Sequence, residues 1–295
     1  DRDVTGVQTC ALPIWMKKML VKLSEILTAA KKQGYGVPAL AAVDELTCRA
    51  AIDAAEDMKS PVILLCMENG NPDLDYFGRM LNDLAVRAKV PVALAYDHTS
   101  SFESAIRGIR AGFNSIMVDR SKLPFQDNIA QVKELVRIAH AADVEVEAEL
   151  GHVGFGDSDV SASESALTIP AEAVQFVEET GVDCLAVAIG TAHGVYKGEP
   201  KLRFDLLEEL AAKVSVPLVL HGGSGTGDEN LAKACRKGIC KVNLVNDVYR
   251  SAFNAVIADG MEGNRIYSLL AVLAEGYRET AMHFMRVLGS AGKAL

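Results

Sequence analysis

Residues 181–194 read GVDCLAVAIGTAHG and contain, in order, a helix stop, an apolar strand and a polar loop. Gly181 follows the amphipathic residues 170–180, so we expect it to end a helix in the left-handed conformation. The run 184–189 is apolar without strict alternation, which is typical of a parallel strand buried on both faces. His193 lies in the loop that follows. The stretch therefore predicts one β/α repeat with a polar group at the carboxyl end of its strand.

The same pattern recurs along the chain. Apolar runs predict strands at 37–40, 62–66, 92–96, 115–119, 144–149, 184–189, 218–220 and 239–243. Helix-length segments follow them at 44–58, 73–88, 102–111, 125–141, 170–180, 204–212, 228–237 and 247–258. Eight strands alternating with eight helices over about 250 residues favour an α/β fold of the (β/α)8 TIM-barrel type. Extra C-terminal helices are predicted over 265–288, and a doubly wound open sheet is the alternative.

Composition narrows the class of protein. The 295 residues are 49% hydrophobic, enough for a large core, and no run reaches the ~18 apolar residues of a membrane helix. The net charge of −9 argues against nucleic acid and membrane partners, although local N–H groups can still bind a small anion. Six cysteines without a CxxC pair predict reduced thiols and a cytoplasmic location.

The first fifteen residues are set apart from the rest. They show no helix or strand period, and VTGVQTCALPI (residues 4–14) looks like a translated sequencing-adapter oligonucleotide. We predict that residues 1–15 are a non-native or disordered leader and that residues 16–295 form a single domain.

Polar residues stand where the predicted strands end. Asp97 and His98 end the third strand, and His193 and His221 follow the sixth and seventh. In a barrel these ends converge on one rim, where active sites are built. A single histidine after a strand is more often an ordinary loop residue, but three from three strands match a catalytic zinc with an open coordination position. His152, after the fifth strand, could approach the site, but we expect it to be exposed to solvent.

The glycine-rich turn 221–225, HGGSG, precedes a helix that begins near residue 228. Glycines allow the backbone to approach an anion, and helical N–H groups can then bind it. A turn after the seventh strand of a barrel is a usual phosphate site. The turn therefore predicts a phosphorylated ligand.

With these motifs the chain resembles a known family, the class II, zinc-dependent fructose- and tagatose-bisphosphate aldolases. The matching segments are YGVPAL, SPVILL, YDHTSSFESAIRGIRAGFNSIMVDRSKLPFQDN, VEVEAELG, GVDCLAVAIGTAHGVYKGEP, PLVLHGGSG and GICKVN, from residue 35 to residue 243. The aspartate–histidine pair, GTAHG and LHGGSG are together highly specific. The resemblance implies a carbon–carbon lyase that releases dihydroxyacetone phosphate.

The resemblance also implies roles for single residues. His98, His193 and His221 would bind zinc, Asp97 would act as general acid or base, and Asp119 and Glu149 would be alternative or second-site ligands. The residues implied for substrate binding are Gly194, Gly222, Gly223, Ser224, Asn243, Leu244, Val245 and Asn246. A monovalent cation near the phosphate and a homo-oligomer, dimer or tetramer, are also expected from the family.

The chain departs from the family pattern at several positions. Asp157 stands where the family carries a catalytic loop glutamate, and Asn246 replaces a threonine. The family places Phe-Asn after the first strand and serine after the second, where this chain has Leu40-Ala41 and Met67. These changes remove polar groups from the entrance, so we expect a different aldehyde half. Lys241 is interpreted as a solvated or core-edge residue, because the chemistry needs no Schiff base.

Two alternatives stay open. The chain could be an epimerase or aldolase for another keto-sugar phosphate, or a non-catalytic sugar-phosphate sensor. The retained Asp97 argues against a sensor, because simple binding does not need a positioned acid. The replacement of the family's loop glutamate by Asp157 keeps the sensor open as an alternative.

Overall fold

The structure, a computed structural model, describes residues 19–154, 167–196, 198 and 200–294. Eight parallel strands follow one another in chain order and close into a barrel, because β1 pairs with both β2 and β8. The strands are β1 (Val37–Ala41), β2 (Val62–Met67), β3 (Val92–Thr99), β4 (Ser115–Val118), β5 (Glu145–Leu150), β6 (Cys184–Val187), β7 (Leu218–Leu220) and β8 (Ile239–Leu244). The predicted TIM barrel is confirmed and the open sheet is wrong. The predicted leader, residues 1–15, lies outside the described residues.

The predicted helices are all present within a few residues. They are α2 (Glu45–Met58), α3 (Leu74–Arg87), α4 (Phe102–Ala111), α5 (Phe125–Ala141), α6 (Pro170–Thr180), α7 (Phe204–Lys213), α8 (Asp228–Arg236) and α9 (Asn246–Asp259). The predicted extra C-terminal helices are a 3₁₀ helix, Gly263–Ser268, and α10, Leu269–Leu288. Of the helices that the structure describes, none is both long enough and apolar enough to cross a membrane.

A further helix, α1 (Leu23–Gln33), was not predicted, and it closes the amino-terminal end of the barrel. Its buried residues Leu23, Ile26, Leu27 and Ala30 follow helical spacing and pack against the inward side chains of the strands. The helix ends at Gly34, whose φ of +71° is left-handed. The site must therefore open at the other end of the barrel.

Alternate residues of strand β5 face the surrounding helices and the interior of the barrel. Val146, Ala148 and Leu150 belong to the core between strands and helices, so Glu145, Glu147 and Glu149 point into the barrel. The three carboxylates are nearly inaccessible to solvent. Glu145 lies near the closed end, where it accepts a hydrogen bond from the Ser24 backbone N–H of α1 at 2.7 Å. Glu149 lies at the open end.

Candidate active site

The three predicted histidines meet at the open end of the barrel. His98 lies near the end of β3, His193 lies in the loop after β6, and His221 directly follows β7. Their ring centroids are 4.8 Å apart for His98 and His221, 4.9 Å for His98 and His193, and 5.6 Å for His193 and His221. One nitrogen from each ring lies within 4.8 Å of the others. The convergence expected from three strand ends is therefore present.

The backbone at His98 is unusual. Its φ of +52° is in the left-handed region, and the pairing of β3 with β4 shifts register between Tyr96 and Thr99. Such a distortion re-aims side chains that strict alternation would place on opposite faces, and left-handed non-glycine residues cluster at functional sites. As a result Asp97 and His98 both reach the site, with Oδ2 of Asp97 3.8 Å from Nε2 of His98.

The hydrogen bonds of the rings show which nitrogen each histidine can offer to a metal. Nε2 of His221 lies 2.8 Å from Oε1 of Glu147, and a carboxylate can only accept, so this nitrogen carries the proton. Nδ1 of His193 lies 3.1 Å from the Val153 carbonyl oxygen, which fixes the proton there in the same way. Nδ1 of His98 is 3.2 Å from Oδ2 of Asp119. The opposite nitrogen of each ring is therefore the one left to face a metal.

Other buried atoms of the cluster are consistent with a metal. Within the described residues, Nδ1 of His221 is fully buried and makes no hydrogen bond of good geometry, although Oε2 of Glu149 lies 3.3 Å away. Burial and the charges of His221 and His98 lower the pKa of His193 to about 4. At His98 and His221 the surrounding carboxylates outweigh burial and raise the pKa, at His221 to about 10, so zinc would displace a proton there. Neutral imidazoles are the nitrogen ligands that zinc prefers. The residues present therefore fit a zinc ion.

The two acidic residues expected as alternative ligands also lie here. Asp119 and Glu149 each place a carboxylate oxygen within 4.8 Å of a His98 nitrogen and of one another. Burial alone would raise the pKa of Glu149, but the neighbouring imidazoles of His152 and His221 outweigh it and lower the pKa. Glu149 is therefore an ionised carboxylate beside the histidines.

His152 both approaches the site and stays partly exposed to solvent. Its side chain is 36% exposed, and its Nδ1 lies 3.6 Å from Oε1 of Glu149 and 3.0 Å from Oγ of Ser121. Gly151, with φ of +77°, turns the chain sharply after β5 and brings His152 back toward the rim.

The environment of Lys241 differs from the one expected from the sequence. The sequence suggested a solvated or core-edge lysine, whereas its side chain is fully buried inside the barrel, with Nζ 2.7 Å from Oε2 of Glu147. Lys241 and Asn243 are two residues apart, so they share a face of β8, and a register shift between β7 and β8 supports this orientation. Burial alone would lower the pKa of Lys241, but the Glu147 charge outweighs it and raises the pKa. An ammonium held in this way cannot serve as a Schiff-base nucleophile.

The glycine-rich turn after β7 has the shape that an anion site needs. A Cβ on Gly222, whose φ is +67°, would lie 2.2 Å from the Ala192 carbonyl oxygen, and one on Gly223 would lie 2.8 Å from the Asn243 carbonyl oxygen. Both positions therefore require glycine. Tyr196 ties this turn to the loop after β6, because its hydroxyl donates to the Gly222 carbonyl oxygen at 2.9 Å and accepts from the Ala192 N–H at 2.8 Å.

The turn after β8 lies against it. Oγ of Ser224 accepts hydrogen bonds from the N–H groups of Val245 and Asp247, each at 3.2 Å, at the start of α9. Nδ2 of Asn243 lies 3.4 Å from Oδ2 of Asp97 and so links this turn to the predicted acid. The side chain of Leu244 belongs to the hydrophobic core, so only its backbone can face a ligand.

Two cavities lie at this end of the barrel. One, of about 310 Å³, lies at the two turns and is lined by predicted residues, Gly194, Ser224 and Asn246, and by Arg250. The other, of about 350 Å³, is lined by His98 and Asp119. The predicted phosphate turns and the histidine cluster therefore each border a cavity.

The sequence reading did not select four residues that the structure brings into this region: Glu147, Tyr196, Lys241 and Arg250. Glu147 could have been found, because it alternates with Glu149 and so shares its face. Arg250 lies one helical turn beyond Asn246, which also could have indicated it. Ala41 is buried and Met67 is half-buried at the ends of β1 and β2. Asp157 lies outside the described residues.

Comparison with known proteins agrees with this geometry. Residues 21–293 match the family model for class II fructose-bisphosphate aldolase. The chain is 39% identical to a fructose-bisphosphate aldolase of Thermus caldophilus, over 94% of this chain and 100% of that protein. It is 38% identical to a "probable fructose-bisphosphate aldolase" of Bacillus subtilis (strain 168), over 93% of this chain and 99% of that protein.

A solved structure gives the same picture. The YdjI aldolase of Escherichia coli K12 superimposes with a TM-score of 0.85 and 34% identity, over 94% of this chain and all of that one. A match that spans the whole barrel, together with histidines converging at its open end, identifies the protein: it belongs to the class II fructose-bisphosphate aldolase family and is a carbon–carbon lyase.

Proposed function

We propose that the protein is a zinc-dependent aldolase that cleaves or forms a ketose phosphate or bisphosphate, with dihydroxyacetone phosphate as one product. The substrate is of the fructose- or tagatose-bisphosphate type. The observation that carries the proposal is the meeting of three imidazoles with a buried carboxylate, Asp97, beside a glycine-rich turn. The cavity at the two turns would receive the phosphate end of the sugar, and the cavity beside His98 and Asp119 offers space next to the histidines.

His98, His193 and His221 would hold the zinc through the ring nitrogens that are left to face a metal. When bound, zinc acts as a Lewis acid that polarises the substrate ketone and stabilises the negative charge that develops as the carbon–carbon bond breaks. Asp119 and Glu149 lie close enough to serve as alternative ligands. We propose no site for the monovalent cation, because no group of the cluster distinguishes one.

Asp97 is the group that we assign to proton transfer. Its Oδ1 is buried and has no hydrogen-bond partner among the described residues, while Oδ2 lies 3.4 Å from Nδ2 of Asn243. A carboxylate in this position can take the proton of the substrate hydroxyl during cleavage and return it during condensation. Asp157 stays a prediction for the second proton transfer.

The turns after β7 and β8 would hold the phosphate. Gly222 and Gly223 let this turn pack against the Ala192 and Asn243 carbonyl oxygens, and Gly194 adjoins open space. Oγ of Ser224 accepts from the N–H groups of Val245 and Asp247, so its own hydroxyl hydrogen can be donated to a phosphate. Asn246 can donate through its amide in place of the threonine of the family. Asn243, Leu244 and Val245 would form the wall of this pocket.

The test is the release of dihydroxyacetone phosphate from a panel of substrates. Fructose bisphosphate, tagatose bisphosphate and monophosphorylated ketoses are each supplied to the purified protein with zinc, after a chelator, and after zinc is restored. We expect turnover of at least one of them, lost with the chelator and recovered with zinc. Turnover that survives complete removal of metal would contradict the proposal, and so would failure with the whole panel.

The aldehyde half is where we expect a difference from the family. Ala41 and Met67 at the ends of β1 and β2 supply apolar surface where the family pattern has an amide and a hydroxyl. We therefore expect fructose bisphosphate to be cleaved with a lower kcat/KM than another ketose phosphate of the panel. The hypothesis fails if fructose bisphosphate is the best substrate of the panel. Binding of these sugars without any turnover would instead favour the sensor.

A further inference from the structure

Lys241 is a buried charge that the proposed reaction does not use. Its side chain is fully inaccessible, and within the described chain the hydrogen bond to Glu147, at 2.7 Å, is the one its ammonium makes. Burying an ammonium is unfavourable unless it is paired, so the barrel interior keeps this lysine at a cost. A methionine of similar length would fill the same space without that cost. The pair therefore calls for a functional explanation.

The same carboxylate also contacts a metal-binding residue. Oε2 of Glu147 faces Lys241, and Oε1 of Glu147 faces Nε2 of His221 at 2.8 Å. Lys241, Glu147 and His221 thus form a continuous chain of hydrogen bonds, and all three are buried. Oε2 also accepts a longer, weaker hydrogen bond from the Cys184 thiol at 3.6 Å, so the ammonium is its one charged partner, and rotation of the carboxylate would break the contacts to Lys241 and His221 together. Lys241 holds one end and thereby determines where the other end points.

We infer that Lys241 is a positioning residue that acts through Glu147 to fix the tautomer and orientation of His221, so that Nδ1 of His221 faces the metal. This inference rests on the zinc site of the proposed function. Glu147 can only accept a hydrogen bond, so Nε2 of His221 carries a proton, and Nδ1 is the nitrogen left to bind a metal. Outer partners of this kind orient metal-binding histidines, and their loss typically weakens metal binding roughly 10- to 100-fold.

The inference makes an unusual prediction about pairs of substitutions. In Glu147→Gln, Lys241 still demands an acceptor, so the amide turns its oxygen toward Lys241 and its NH2 toward His221. Nε2 of His221 must then accept, the proton moves to Nδ1, and zinc binding is lost or weakened. When Lys241→Met is added, the amide oxygen is free to turn back to His221. The second substitution therefore rescues the first.

The experiment measures zinc affinity by competition with a chelator for the wild type, Lys241→Met, Glu147→Gln and the double variant. We expect each single variant to bind zinc roughly 10- to 100-fold more weakly than the wild type. The double variant should bind zinc more tightly than Glu147→Gln alone. Nitrogen-15 spectra of the imidazoles should show His221 protonated at Nε2 in the wild type and in the double variant, but not in Glu147→Gln.

Lys31→Met is the matched control. Lys31 is partly buried, and its ammonium donates to three carbonyl oxygens, of Val214, Ser215 and Val216, at the closed end of the barrel. Its removal should leave zinc affinity unchanged. Wild-type affinity in Lys241→Met, or a double variant weaker than either single variant, would overturn the inference. If Lys241 were needed only for folding, the double variant would bind zinc more weakly than either single variant. Absence of aldolase turnover in a wild type that binds zinc would overturn the proposed function alone.

Discussion

Asp97 and His193 both lie at the histidine cluster, but we expect their loss to have different effects. Asp97 reaches the site as a buried carboxylate that bonds to Asn243 rather than to the ring nitrogens, whereas His193 is one of the three converging imidazoles. Asp97→Asn should therefore retain zinc and lose roughly 10²- to 10⁴-fold in kcat. His193→Ala should lose zinc itself. Metal content and turnover, measured on the same preparations, check both; normal zinc in both variants would refute the site assignment.

At the same scale, the sequence predicted the identity of the site residues better than their environment. Strand ends of a barrel must meet, so the positions of His98, His193 and His221 in the sequence were enough to predict that they converge. The state of Lys241 was not predictable in this way. Its burial depends on a register shift between β7 and β8 and on a partner, Glu147, that lies 94 residues away in the chain. Such a pairing becomes visible only when the barrel is closed.

Among the connecting elements, the loops after β6 and β7 depend on Tyr196. Its hydroxyl donates to the carbonyl of Gly222, accepts from the N–H of Ala192 and lies 3.4 Å from Oγ1 of Thr226, and so holds the proposed phosphate turn in place. Tyr196→Phe removes these contacts, and one hydrogen bond contributes about 1 kcal/mol, so we expect KM for the phosphorylated substrate to rise several-fold while kcat changes little. Tyr76→Phe, at a tyrosine that is 54% exposed, is the control. A fall in kcat with unchanged KM would contradict this role.

Helix α1 is the element whose contribution to stability is easiest to test. Leu27 is 1% exposed and packs with inward-facing strand residues at the closed end of the barrel. Leu27→Ala should lower the free energy of unfolding by about 2–5 kcal/mol, since it removes buried methyl groups and leaves a cavity. Thr28→Ala, on the exposed side of the same helix, should change it by less than about 0.5 kcal/mol. Chemical denaturation checks both, and equal effects would show that α1 does not close the barrel.

The existence of α1 was missed for a physical reason. The barrel arithmetic requires one helix after each strand, and α1 precedes β1, so the repeat pattern gives it no place. Its apolar residues at 23, 26, 27 and 30 carried the helical period in the sequence. The eight strands, in contrast, were predicted closely, because runs of Val, Ile, Leu and Ala between helices have few other structures available to them.

For the molecule as a whole, we expect the metal to stabilise the fold as well as the reaction. His98, His193 and His221 come from three separate parts of the barrel, and unfolding would disperse them. A ligand that binds only the folded state adds about 4 kcal/mol when its concentration is a thousand times its Kd. Zinc should therefore raise the Tm of the chelated protein by several degrees.

Two comparisons separate this effect from a general response to divalent cations. Mg²⁺ prefers oxygen ligands, so at the same concentration it should raise the Tm much less than zinc does. His193→Ala removes one of the three ligands, so zinc should leave its Tm nearly unchanged, while Thr28→Ala should respond as the wild type does. Differential scanning calorimetry measures the change in Tm for four samples: the wild type with zinc, the wild type with Mg²⁺, His193→Ala with zinc and Thr28→Ala with zinc. If zinc raised the Tm of His193→Ala as much as that of the wild type, the stabilising ion would have to bind elsewhere in the molecule.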